Sequence, residues 1–201
     1  QDSAILVARG SGGVTTPAVT APRIDKRWAV VIGVGQYESA DIPDLEFAGA
    51  DATAIKDFLT SDRAGPFEED HVLFLENERA TGAAMREALF VFLQDADWDD
   101  LVVIYFAGHG APDPARPDNL YLLPHDADLD ALAATGFPMW DVKTALRRQI
   151  SAERVIIIAD ACHSAGTQEG LSGAEGNNAI AGGFSQLLTP SRRLSMTAAN
   201  S

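Results

Sequence analysis

Four short apolar runs, WAVVIGVG (28–35), HVLFLEN (71–77), LVVIYFAGHG (101–110) and RVIIIAD (154–160), constrain this chain more than any other feature. They are rich in β-branched residues and bounded by Gly, Asn or Asp, as strands buried on both faces are. Between them the apolar residues fall at helical spacing. Ala48, Ala52, Ile55 and Leu59 follow Pro43 and Asp44; Met85, Leu89 and Phe92 follow Thr81, a residue suited to capping a helix; Val142, Leu146 and Ile150 form a third set. The resulting β-α-β-α-β-α-β order predicts an α/β fold of three layers, a mostly parallel central sheet flanked by helices. RLSMTAANS (193–201) reads as a fifth strand.

Other stretches read as connections. Residues 1–27 are rich in Gly, Thr, Ala and Pro and read as an N-terminal arm or linker, with the globular domain at 28–201. The stretch around Pro112, Pro114, Pro117 and Pro124 reads as a loop, and the Gly-rich 164–183 as a long mobile one. The chain begins at Gln1, which fits a removed leader, a processed precursor or a trimmed polypeptide.

Charge narrows the partners. Fifteen Lys and Arg against 29 Asp and Glu give a net charge of −14, with no basic stripe to displace the counterions of a nucleic acid. No apolar run approaches the ~20 residues that span a membrane. The expectation is a cytoplasmic protein, with export after loss of a leader as the alternative. A single cysteine cannot form an internal disulfide and leaves the redox compartment open.

Ligands in open parallel sheets bind at the carboxyl ends of the strands. There GHG should follow the third strand and DACHSAG the fourth, bringing His109 and Cys162 to one edge. An imidazole beside a thiol stabilises the thiolate and returns a proton to the leaving group. Adjacent strands lie about 4.8 Å apart, close enough for the two to meet. Gly108 and Gly110 leave the backbone open to a substrate chain, and the N–H groups of Gly110 and Cys162 could hold the oxyanion of a tetrahedral intermediate. His163 falls on the opposite face by strand alternation. GVGQYE lacks the third glycine of a dinucleotide fingerprint, and CHSAG lacks the first glycine of a serine nucleophile elbow centred on Ser164.

VVIYFAGHG followed by VIIIADACHSAG resembles the caspase-like cysteine peptidases, specifically the metacaspase and orthocaspase branch. RWAVVIGVGQY and LEFAGADATAIKDFL resemble that family's first strand and first helix, and His109 lies upstream of Cys162 by about the 50 residues known for caspases. The resemblance covers about residues 27–199. It implies a caspase-like catalytic domain, the p20-like part plus the first strand of the p10-like part, with a C-terminal p10-like segment as partner. It implies a cysteine endopeptidase made as a zymogen, with His109 as general acid/base, Cys162 as nucleophile and Gly110 as oxyanion donor. Metacaspases accept Arg or Lys in an acidic pocket; the matching acids are Asp160 and Asp51, with Ala48 and Ala107 at wall positions that are often polar in relatives. A carboxylate pair there would hold a guanidinium bidentately.

Two alternatives stand beside this reading: a caspase-like binding or regulatory module with little turnover, and a peptidase of acidic specificity. No cofactor is required. Many metacaspases use calcium, but Asp113, Asp118, Asp126, Asp128 and Asp130 follow no recognised ligand order, and no metal ligand is assigned. Self-cleavage after a basic residue would fall on Arg192 or Arg193, or on Arg9, Arg23, Lys26 or Arg27 in the arm.

Overall fold

The computed structural model describes residues 24–65, 67–163 and 194–198, with 161–163 and 194–198 described by their backbone alone. The expected arm up to residue 23 and the expected loop at 164–183 lie outside the described residues.

Among the described residues a seven-stranded mixed sheet organises the fold. Strand β1 (Arg27–Gly33) pairs in parallel with β2 (Val72–Glu76) and with β3 (Leu101–Asp113); β3 pairs in parallel with β6 (Arg154–His163), and β6 with β7 (Leu194–Ala198). The mostly parallel sheet expected from the sequence is present. All of β1 after Arg27 is buried, because helices cover both faces. On one face α1 (Ala48–Leu59) packs on Ala29, Val31, Val103, Tyr105 and Ala107. On the other, α2 (Gly82–Phe90) and α4 (Met139–Arg148) lay Met85, Leu89, Val142 and Leu146 against Val30, Ile32, Val102 and Ile104. Each such side chain taken fully out of water contributes about 1.5–3 kcal/mol, against the entropy of fixing it. Thr81 caps α2 as its sequence suggests, its Oγ1 accepting from Ala84 N at 3.2 Å.

The proline-rich stretch departs from expectation. It is not a loop: β3 runs on to Asp113 and turns back as β4 (Arg116–Leu122), which pairs antiparallel with β3 and with the two-residue β5 (Phe137–Pro138). A short helix, α3 (Leu132–Thr135), precedes β5. Prolines are tolerated here because the ladder shifts register at Pro112/Asp113, a bulge that spares the missing N–H. In consequence GHG and DACH do not follow their strands. They lie within β3 and β6, where ladder hydrogen bonds fix the backbone. Among the described residues no helix is long and apolar enough to cross a membrane.

Candidate active site

The β3–β6 register sets the geometry. Ala107 pairs with Asp160, His109 with Cys162, and Gly110 with His163. Val103, Tyr105 and Ala107 on β3, and Ile156 and Ile158 on β6, face α1. By the two-residue period of a strand, His109, Asp160 and Cys162 occupy positions on that same face, and His163 a position on the other. Gly110 stands in the ladder between Leu122 of β4 and His163 of β6.

His109 is 2% exposed and firmly located. Its Nε2 lies 2.8 Å from the Pro43 carbonyl oxygen. A carbonyl only accepts, so Nε2 carries the hydrogen, and in the neutral imidazole Nδ1 is the nitrogen able to take a proton. The ring stacks on Tyr37 at 5.3 Å between centroids and 24° between planes. In the sequence Pro43 serves only as a mark of the coming helix, and Tyr37 carries no assigned role. A main-chain carbonyl leaves no side-chain signature, and Tyr37 lay unremarked in the GVGQY that closes the first strand.

Both partners come from the segment between β1 and α1. That segment is pinned by Leu45 N donating to Gly35 O at 2.8 Å, and by Gly35 N and Gln36 N donating to Asn77 Oδ1 at 2.9 and 3.1 Å. Asn77 holds a φ of 45°, the left-handed region that asparagine tolerates better than most residues.

Beside His109 a cleft of about 90 Å³ opens between β3, β6 and the start of α1. Asp51, Glu46 and Asp160 line it with Ala107, Gly108 and Phe47; Ala48 lies on its wall. Glu46 adds a third carboxylate that the sequence reading missed. The helix reaches the strand ends because β1 finishes in glycine. A Cβ at Gly33 would stand 2.5 Å from Ala52 Cβ and 2.9 Å from the Ala48 carbonyl oxygen.

Among the described residues no ion pair compensates the carboxylates of Asp160 and Asp51. Asp160 Oδ1 is buried without a hydrogen-bond partner. Burial, and after it the Asp51 carboxylate, push the Asp160 carboxyl above its ordinary value. Tyr105 beneath it is pushed up to about 12, by burial first and then by the charges of Asp160 and Asp51, so its phenol stays neutral. A buried acceptor with no donor favours a cationic or hydrogen-rich guest.

Three of the acids weighed for calcium accept main-chain hydrogen bonds. Asp113 Oδ1 accepts from Ala115 N and Arg116 N, Asp126 Oδ1 from Gly82 N at the start of α2, and Asp128 Oδ1 from Asp130 N. Asp118 is exposed on β4. Among the described residues, the acids and histidine whose ligand atoms gather within 4.8 Å are Glu68, Asp70 and His71, just before β2.

A family model described as the caspase domain matches residues 26–195. Among solved structures, protein GSU0716 from Geobacter sulfurreducens superposes with a TM-score of 0.59 at 16% identity, over 86% of this chain and 72% of that one. A structure titled pro-sf-caspase-1 gives a TM-score of 0.46 at 13% identity, over 83% of this chain and 57% of that one. At 16% identity the likeness to GSU0716 is one of fold. No curated protein sequence matches significantly.

Proposed function

This chain belongs to the caspase domain family, and from that premise we propose that it is a cysteine endopeptidase of the metacaspase and orthocaspase type, cutting after Arg or Lys. The observation that carries the reading is the register of His109 with Cys162, two residues beyond Asp160, at the edge of an acidic cleft.

In this reading Nδ1 of His109 takes the Cys162 proton while Nε2–H stays on the Pro43 carbonyl. The thiolate attacks the scissile carbonyl carbon, and the oxyanion is assigned to the N–H groups of Gly110 and Cys162, which must give up their places in the β3–β6 ladder to receive it. The imidazolium then gives its proton to the departing amine, leaving an acyl-thioester on Cys162. Water, deprotonated by His109, attacks the thioester; the acid product leaves and the thiol is restored. Asp160 and Asp51 hold the guanidinium or ammonium of the residue before the cut, with Ala107 on the cleft wall. An acidic side chain would meet three carboxylates there, which disfavours the alternative of acidic specificity.

The same reading includes synthesis as a zymogen, a C-terminal p10-like partner segment, and self-cleavage after Arg192 or Arg193. It requires no cofactor, and calcium enters as a variable of the test.

The test is labelling and turnover of the full-length protein, with and without added calcium. An electrophilic peptide ending in Arg should label wild type and not Cys162→Ala, and fluorogenic peptides ending in Arg or Lys should be cut while those ending in Asp are not. Absence of labelling and turnover at every calcium level would assign the chain to the class of binding or regulatory modules instead.

A further inference from the structure

We propose that Tyr37 is a positioning residue for His109, replacing with its hydroxyl the ladder contact that β3 loses where β1 leaves the sheet. The inference rests on the reading of His109 as the acid–base.

Strand β1 ends at Gly33, opposite Ala107, and its last link to β3 is Val34 N donating to Ala107 O at 2.8 Å. The next β3 amide on that side is His109 N. A buried amide must find an acceptor, and β1 has already turned away. Tyr37 Oη accepts from His109 N at 2.8 Å and donates through its own hydrogen to Val34 O at 3.2 Å. One hydroxyl thus bridges a donor on β3 and an acceptor on the departing chain, using both of its capacities.

The ring of the same residue lies against the imidazole. Gly108 makes room for it: a Cβ there would approach Tyr37 Oη to 3.3 Å and Phe106 Cζ to 2.8 Å. The main chain of Tyr37 is itself tied, its N donating to Asp44 Oδ1 at 3.3 Å. Asp44 directly follows Pro43, whose carbonyl receives Nε2. Tyr37 therefore fixes the histidine's main chain and one ring face, while its neighbours in the same segment fix the ring's rotation. The hydroxyl bonds the main chain of His109 and of Val34, and so it sets where the imidazole stands.

Tyr37→Phe keeps the ring and its stacking and removes the bridge. The expected result is a kcat about tenfold lower on an Arg peptide with KM within about twofold, because a displaced base weakens the chemical step more than binding. The second readout is alkylation of Cys162 by iodoacetamide against pH. In wild type the imidazole should lower the pH at which the thiol becomes reactive, and in Tyr37→Phe that midpoint should move toward the ~8.5 of a free thiol. A Tyr37 that only supports the fold would lower the melting temperature and leave the alkylation midpoint in place. Wild-type kcat together with a wild-type midpoint in Tyr37→Phe would overturn the proposal while leaving the peptidase reading intact. A wild-type protein whose thiol already reacts as a free thiol would remove the histidine–cysteine couple, and both readings with it.

Discussion

Two aspartates stand at opposite ends of neighbouring strands, and their surroundings differ in kind. Asp100, just before β3, is 2% exposed and accepts from Lys26 N at 2.9 Å, Trp28 Nε1 at 3.0 Å and Asp97 N at 2.9 Å. Asp160, near the carboxyl end of β6, keeps a buried oxygen with no donor and has Asp51 as a charged neighbour. The first carboxylate closes the amino edge of the sheet, fastening the entry of β1 to the start of β3. The second leaves the carboxyl edge with an unmet demand for hydrogen. Stability is invested at one edge and recognition at the other.

Removing the satisfied acid should have the larger effect on the fold. Asp100→Ala leaves two part-buried main-chain amides and a buried indole N–H without that acceptor. A destabilisation of about 3 kcal/mol is expected, since each orphaned donor costs roughly 1–3 kcal/mol and relaxation recovers part of the sum. In a chain of this size that lowers the melting temperature by about 10 °C. Peptide preference should not change. A melting temperature within a degree or two of wild type would break the comparison at its structural end.

Removing the unsatisfied acid should do the reverse. Asp160→Ala is expected to lose more than tenfold in kcat/KM on Arg peptides, from one charged contact worth about 1.5–3 kcal/mol, with no loss of melting temperature. Asp51 is exposed, and water screens it, so Asp51→Asn should cost only about two- to fivefold, the range of an exposed ion pair. Equal losses in the two variants would mean that burial does not decide which carboxylate carries specificity.

The sequence already contained much of this edge, and the reasons are physical. β-branched runs bounded by glycine fixed four strands, and Thr81 marked a helix start, because burial and capping act through side chains that the sequence displays. Bringing the third and fourth strands to one edge put His109 near Cys162, whereas Asp160 and Ala107 came from the family resemblance. The hairpin of β3 and β4 was hidden because Pro112 and Pro117 read as loop residues unless a bulge and an edge position are known in advance. Asp100 was equally silent: in DADWDDL it looks like one more solvated acid, and only the folded chain delivers its three donors. The Pro43 carbonyl belongs to the backbone, which every sequence shares. Tyr37 acts through long-range contacts 72 residues away.

The smallest effect separates the two carboxylates most sharply. Burial and Asp51 raise the Asp160 carboxyl in the folded protein, so between its unfolded and folded values the native state binds more protons than the unfolded one. Stability then falls as pH rises through that interval and stays lower above it. Asp160→Asn retains the shape and never ionises, so it should melt higher than wild type at pH 7–8, with the advantage vanishing below about pH 3, where Asp160 is protonated in both states. An arginine amide that fills the cleft should raise the melting temperature of wild type at pH 7 and leave Asp160→Asn much less changed, because the cation binds the ionised native form. A variant that melts lower than wild type at pH 7 would mean that Asp160, like Asp100, is held by donors of the fold, and the cleft would lose its reason to attract a cation.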